Sequence, residues 1–349
     1  MEESGSEIPL PKPGLTVGII YNLKKGLHTH VVDAEAEYDN IDTVYAIQKA
    51  LEAGGAKAEL LEADKYLPEK LGATPIDIAF NIAEGFYGRG REAQIPALLN
   101  MLGIPFTGSD ETTLCIALDK ALTKRLLATY HIHTPRYGVL TKGNMHAIDG
   151  FKYPVIVKPN AEGSSKGISD ISVVETRKAL VELAKQNIEL YNGDFLAEEY
   201  IDGREFTVGL IGNGEEVRVF SPMEILYKGE IPGGYNVYSY PVKQQFERYV
   251  AYQCPASLTK EQEAEMVKTS KTVFKVLGCK DFSRIDYRLS REGKLYFIEI
   301  NPLPGLAPNY SDYPMLAGYC GVEYGTLVRS ILKQALKRYG IQFELKDTI

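Results

Sequence analysis

Tryptophan is absent from the 349 residues, and cysteine and histidine are scarce, with 4 and 5 copies. Cys115, Cys254, Cys279 and Cys320 are scattered with no C-x-x-C spacing. That pattern argues against a cysteine zinc site or a dithiol redox motif and reads as reduced thiols in a cytoplasmic protein. His28 and His30 stand two apart in a polar loop without a third ligand, too little for a metal centre. No apolar run approaches the roughly 18 residues of a membrane span, so no membrane partner is expected. The opening stretch M-E-E-S-G-S-E-I-P-L lacks the basic and apolar parts of a signal peptide, which again points to the cytoplasm. Positive charge is also in deficit: 39 basic against 46 acidic residues give a net charge of −7. With no basic block to offset this, nucleic acid is not an expected partner.

What is present is an ordinary globular composition, 44% hydrophobic and 24% charged. A chain of this length is expected to form two or three lobes. The first third reads as α/β. Leu15–Ile20 is a short apolar strand, and Val44, Ile47 and Leu51 follow at helical spacing up to Gly54-Gly55. Ile76–Asn81 reads as a second strand, Glu92–Leu102 as a helix and Ile104–Thr107 as a third strand. Such alternation predicts an open parallel sheet. A Lys- and Leu-rich helix is predicted over Thr113–Tyr130, and strands over Pro154–Lys158, Ile171–Val174 and Glu205–Ile211. Helices are predicted over Glu261–Leu277 and Tyr324–Tyr339. Boundaries near Cys115 and Gly203 divide the chain into units 1–115, 116–203 and 204–349, an α/β unit followed by two α+β units.

The strongest chemical signal runs from Phe282 to Gly305. F-S-R-I-D-Y-R-L and K-L-Y-F-I-E-I-N-P-L-P-G flank the turn S-R-E-G and predict a β-hairpin. Alternation puts Arg284 and Asp286 on one face, and Glu299 and Asn301 on the matching face of the partner strand. If Leu289 pairs with Lys294, Arg284 lies opposite Glu299, and Ile285, Ile298 and Ile300 pack the other side. A solvated hairpin face with an ion pair would look like this. So would an all-oxygen site for a hard cation such as Mg²⁺.

A second signal is Y-P-V-I-V-K-P-N-A-E-G-S-S-K-G, residues 153–167. A buried strand delivers Lys158, and glycine and serine then offer backbone and hydroxyl donors. A following strand excludes the P-loop arrangement, leaving an exposed hairpin turn or a loop that closes over phosphates. A third is L-A-E-E-Y-I-D-G-R-E-F, residues 196–206, whose backbone suits an adenine edge and whose Glu205 suits ribose hydroxyls.

The order of these signals resembles the ATP-grasp superfamily. Three further segments resemble D-alanine–D-alanine ligases within it: T-G-S-D at 107–110, V-Y-S-Y-P-V-K-Q-Q-F at 237–246 and N-P-L-P-G-L-A-P-N-Y-S-D-Y-P at 301–314. The resemblance implies an ATP-grasp fold behind a Rossmann-like N-terminal domain, with ATP and two Mg²⁺ ions (or Mn²⁺) as cofactors. Lys120, Lys158 and Lys243 would contact phosphates, the last from a lid, with Ser164 and Ser165 in the phosphate loop. Glu198, Glu199 and Ile201 would frame adenine, and Glu205 the ribose. Asp286, Glu299 and Asn301 would hold the metals. Arg284 and the Gly305 backbone would face the oxyanion, and Ser311 would hold the second substrate's carboxylate. The implied reaction joins an amino-acid-like acid to an amine through an acyl phosphate, in a homodimer.

The resemblance fails in one region. The Gly-rich N-terminal stretch with its amino-binding glutamate is missing, Glu84-Gly85 replaces a His-Gly pair, and Gln244 replaces the lid tyrosine. All three departures fall where the family holds its first amino acid. Glu84, Arg89, Arg91 and Glu92 are therefore expected to line an altered acyl pocket, with an arginine pairing a substrate carboxylate. An authentic D-alanine–D-alanine ligase and a catalytically inactive nucleotide-binding regulator are the competing expectations.

Overall fold

In the computed structural model, residues 14–26, 35, 37–162 and 172–349 are described. The N-terminal sheet is parallel, in the order β2-β1-β3, from β1 (Thr16–Tyr21), β2 (Lys57–Glu62) and β3 (Ile78–Asn81). Helix α1 (Ile41–Ala53) carries Val44, Ile47, Ala50 and Leu51 on its buried stripe. The next helices are α2 (Leu67–Ala73) and α3 (Gln94–Met101). One face of the sheet packs with α1 against the C-terminal helix, and the other packs against Leu67, Leu71, Ile95 and Leu99 of α2 and α3. With both faces covered, β1 is apolar along its length, as central parallel strands are.

Two readings of this region change. Lys57–Glu62 is a strand that its charged residues conceal. Ile104–Thr107 contributes only an isolated bridge, Ala79 to Phe106, because Pro105 has no N–H to extend a ladder.

Helices α4 (Glu111–Leu118) and α5 (Lys120–Ala128) replace the single helix expected over Thr113–Tyr130. The break is at Asp119, whose ψ of 96° is extended and whose carboxylate accepts from Leu122 N at 2.9 Å. Asn160 Nδ2 donates to the same carboxylate at 2.8 Å. The break thus seats Lys120 at a helix start, where a continuous helix would carry it elsewhere.

A second sheet, β4-β7-β5-β6, is antiparallel: β4 (Tyr137–Leu140), β5 (Val155–Pro159), β6 (Val173–Val174) and β7 (Phe195–Glu199). It packs on Leu180, Leu183, Ala184 and Ile188 of α6 (Arg177–Tyr191). The third sheet runs β11-β10-β8-β12-β13, with β9 (Arg218–Val219) on β8 (Gly203–Ile211). Its other strands are β10 (Met223–Tyr227), β11 (Val250–Gln253), β12 (Phe282–Ser290) and β13 (Leu295–Asn301). Short α7 (Tyr240–Gln244) and α8 (Phe246–Tyr249) connect β10 to β11. Val208, Ile285, Tyr287 and Phe297 of this sheet pack on Met266, Val273 and Phe274 of α9 (Lys260–Val276). Helices α10 (Asp312–Tyr319) and α11 (Tyr324–Tyr339) return the chain to the first sheet. Among the described residues, no helix is long and apolar enough to cross a membrane.

The hairpin forms as predicted but in another register. Leu289 pairs with Leu295, and between Asp286 and Tyr287 the pairing slips by one residue. Asp286 then lies opposite Glu299, and Arg284 opposite Asn301. A bulge at Ile298 reverses the facing of β13. Leu295 and Phe297 are buried, then Ile300 is, and Ile298 faces a cleft instead of the core.

One buried carboxylate ties the lobes together. Asp281, fully buried, accepts from Gly108 N at 2.8 Å, Asn213 Nδ2 at 2.8 Å and Arg338 at 2.8 Å. Asp281→Ala strands the Arg338 guanidinium and should destabilise the protein by about 3–5 kcal/mol, read as a fall in the urea midpoint.

Candidate active site

The second and third sheets face each other across a cleft holding about 1110 Å³ of empty space, open to solvent. Its wall brings together Lys120 at the start of α5, Lys158 on β5, Glu198 and Glu199 on β7, Ile201, and Glu205 on β8. From the other side come Arg284 and Asp286 on β12, Glu299 and Asn301 on β13, and Lys243 on α7. Leu118, Ile156, Ile201 and Ile298 make an apolar strip beside them. A smaller cavity of about 600 Å³ adjoins this cleft and shares Lys243, Arg284 and Asn301 with it. Gly305, Ser311, Tyr310, Lys24, Glu37 and Asp39 complete that second wall.

Charge is balanced residue by residue. Glu198 sits between Lys158 at 2.6 Å and Lys124 at 2.7 Å, all three side chains nearly free of solvent. Burial alone would raise the Glu198 pKa, but the two ammonium groups outweigh it and hold it low. Lys158 is the mirror case: burial opposes its charge, while Glu198 and Glu299 raise its pKa. Burial dominates at Lys124 and, with Lys158 nearby, brings it down to about 8 despite Glu198. Lys124 Nζ also donates to Ile298 O at 2.8 Å, which holds the bulge.

At the hairpin, Arg284 forks onto Asp286 at 3.1 and 2.9 Å and reaches Asp312 at 3.3 Å. Thr207 Oγ1 donates to Asp286 at 2.7 Å. Burial would raise Glu299, but Lys120, at 3.3 Å, together with Lys158 and Arg284 holds it at about 2. Glu205 is oriented by Tyr227 Oη at 2.6 Å and Arg288 at 3.2 Å. Over the cleft, Arg288 donates to Asn236 O at 2.6 Å, and Tyr200 Oη donates to the same carbonyl at 3.2 Å. Lys243, on α7, has its pKa lowered by burial against the pull of Asp312.

Several expected residues stand elsewhere. Among the described residues, neither Glu84 nor Arg91 belongs to the wall of either cavity. Arg91 has no fork left for a substrate carboxylate, because Glu37 already takes it, with Nε at 3.1 Å and the second arm on the other oxygen. Arg89 is exposed and pairs with Asp119 at 3.5 Å, whereas Glu92 does reach the first cleft. Glu198 does line the first cleft, with its carboxylate held by Lys124 and Lys158. Ser164, Ser165, His28 and His30 lie outside the described residues. Lys124, Thr207, Arg288 and Asp312 belong to the site's support and were not singled out from the sequence. Lys124 follows Lys120 by one helical turn, and Arg288 follows Arg284 at strand parity, so their spacing carried the signal.

Comparison with known proteins places these features. Residues 126–333 match the family model described as the D-ala D-ala ligase C-terminus. The D-alanine–D-alanine ligase of Saccharophagus degradans is 32% identical over 293 residues, covering 83% of this chain and 88% of that protein. The Aquifex aeolicus D-alanine–D-alanine ligase is 32% identical over 297 residues, 84% of this chain and 94% of the relative. An uncharacterised protein of Sinorhizobium fredii is 33% identical over 290 residues, 82% of each. Among solved structures, the Bacillus anthracis D-alanine–D-alanine ligase complexed with ATP superposes with a TM-score of 0.74 at 22% identity, covering 93% of this chain and 98% of that one. The D-Ala:D-Ser ligase VanG of Enterococcus faecalis gives 0.72 at 18%, covering 92% and 99%. At these identities the structural likeness establishes the fold.

The Lys124–Glu198–Lys158 cluster yields a measurable expectation. Lys124→Met leaves Glu198 half-compensated and releases Ile298 O, and should lower stability by about 3 kcal/mol. Chemical denaturation checks it, and an unchanged midpoint would contradict the assigned role.

Proposed function

The chain belongs to the D-alanine–D-alanine ligase family, ATP-dependent, ADP-forming ligases of the ATP-grasp fold that make C–N bonds, and from that premise we propose that it joins an amino-acid-like acid to an amine at an altered acyl site. The observation that carries the reading is the convergence of Lys120, Lys158 and Lys243 with Asp286, Glu299 and Asn301 on one cleft. Lysines alone would suit any anion. Two carboxylates and an amide oxygen beside them suit a metal-bound triphosphate.

We assign Asp286, Glu299 and Asn301 to Mg²⁺, two ions in the family reading. The donor chemistry fits: all three donors are oxygens, and Glu299 is held ionised. Among the described residues no cluster of three His, Cys, Asp or Glu forms a cage. Magnesium bound through phosphates needs only one or two carboxylates. When bound, the ions neutralise charge on the phosphates, and ATP supplies the phosphoryl group that makes the acid a good electrophile. Lys120, Lys158 and Lys243 then orient the phosphates, with Ser164 and Ser165 as further donors. Glu199 and Ile201 bound the adenine, and Glu205, aimed by Tyr227 and Arg288, takes the ribose. Glu198 acts through Lys158. Arg284 and the Gly305 N–H stabilise the oxyanion, and Ser311 receives the second substrate's carboxylate. The covering segment excludes water from a hydrolysable intermediate.

We place both substrates in the second cavity. Asp39, raised to about 7 chiefly by burial with Lys24 opposing, is a wall residue there. Glu84 and Arg91 support that wall from behind. We further read the unit 1–115 as the substrate side, 116–203 as the phosphate-loop side and 204–349 as the metal and lid side, in a cytoplasmic homodimer. An authentic D-alanine–D-alanine ligase is a second reading, favoured by the 32% identity to such enzymes.

Phosphate release with single and paired amino acids decides between them. Turnover on D-alanine alone with a KM below about 1 mM would exclude the altered-substrate reading. Glu299→Ala should abolish phosphate release while the melting curve stays cooperative, and near-native turnover would remove the metal assignment. Arg284→Lys should lose on the order of 10²–10³ in kcat, since a point charge cannot replace the guanidinium fork.

A further inference from the structure

We propose that Arg91 is a positioning residue that couples nucleotide binding in the first cleft to the wall of the second cavity. The inference rests on the ATP-ligase reading but adds a link between sites which that reading does not contain. Arg91 sits in the single 3₁₀ turn Arg91–Ala93 before α3 and is 5% exposed. Its fork holds Glu37, a wall residue of the second cavity. Its remaining arm donates to Ala161 O at 3.0 Å, and its charge pairs with Glu162 at 3.0 Å. Glu162 is a wall residue of the first cleft, and its carbonyl accepts from Lys120 Nζ at 2.6 Å. Lys120 in turn pairs with Glu299. An unbroken polar chain therefore runs from Glu37 through Arg91, Glu162 and Lys120 to Glu299.

Arginine suits this place for a geometric reason. Two segments distant in sequence, at 37 and at 161–162, must be held by one group, and the planar fork has donors in several directions where an ammonium has a single centre. Lys120 is steered by a backbone carbonyl that Arg91 fixes, so displacing Glu37 shifts the phosphate contact without touching the first cleft. Linkage makes the effect reciprocal: nucleotide that draws Lys120 forward stiffens the second cavity's wall. A contiguous path is only a reason to look for coupling, and the coupling itself is measurable.

The test uses the full chain and the non-hydrolysable Mg·AMP-PNP as probe, titrated by calorimetry, with thermal melting alongside. Glu37→Gln alters no residue of the first cleft, yet it should weaken Mg·AMP-PNP by about tenfold. Arg91→Lys should do the same, and the double variant should lose no more than the larger single loss, because both break one chain. A strut with only a structural role would lower the melting temperature of Glu37→Gln and leave its Kd at the native value. That outcome, or losses that multiply in the double variant, overturns the proposal. Should Arg91→Ala fail to fold, Glu37→Gln and Arg91→Lys still decide. A native protein that does not bind Mg·AMP-PNP would overturn the ATP reading, a failure distinguishable from the loss of coupling alone.

Discussion

Glu198 clamped between Lys124 and Lys158 is the interaction on which the arrangement of this protein rests. It joins a helix, α5, to two neighbouring strands of the second sheet, and Lys124 reaches onward to the bulge of β13. Three charged side chains withdrawn from water are tolerable only as a set. The set fixes where Lys158 points and, through Ile298 O, where the cleft-facing residues of β13 begin. A buried trio of this kind is weak evidence for high stability, because desolvation cancels much of the attraction. Its contribution is to permit one relative placement of the elements that line the cleft.

The bulge at Ile298 shows how one extra residue serves chemistry. Without it, β13 would keep the parity of Leu295 and Phe297 and send Glu299 and Asn301 into the core. With it, both face Arg284 and Asp286 in direct register, and an isoleucine enters the first cleft. The break at Asp119 acts in the same way on the helical side, ending α4 so that Lys120 opens a new helix over the cleft. Both irregularities are held by named partners: Lys124 at the bulge, Asn160 at the break.

Near the second cavity the charged residues neutralise one another before any ligand is present. The arginine and glutamates near residue 90 form a buried charge cluster, in which burial, together with Glu37, pushes Glu92 up to about 8. That cluster lies between the two cavities and supports their walls. Asp39 and Lys24 are among the residues left facing the second cavity.

Much of this was legible in the sequence. The hairpin, Lys158, the helix Tyr324–Tyr339 and the central strand Thr16–Tyr21 follow from alternation, helical spacing and turn residues, which are local properties. The pairing of Arg284 with Asp286 and of Glu299 with Asn301 on their own strands was legible for the same reason, but that the two pairs meet on one face depends on the bulge. What failed were statements that need a second segment. The register slipped because the bulge is fixed by Lys124, 174 residues away along the chain. Strand Lys57–Glu62 was hidden because its charged residues sit at a sheet edge whose burial depends on neighbours. Arg91 was misread because its partner, Glu37, is 54 residues distant, and nothing local tells an arginine that binds a ligand from one already bound by the protein. The sequence by itself determined which charged and polar side chains each element carries and, along an unbroken strand or helix, which of them share a face. Only the tertiary structure decided which charges neutralise one another and which remain free to meet a ligand, because pairing depends on distances that chain separation does not encode.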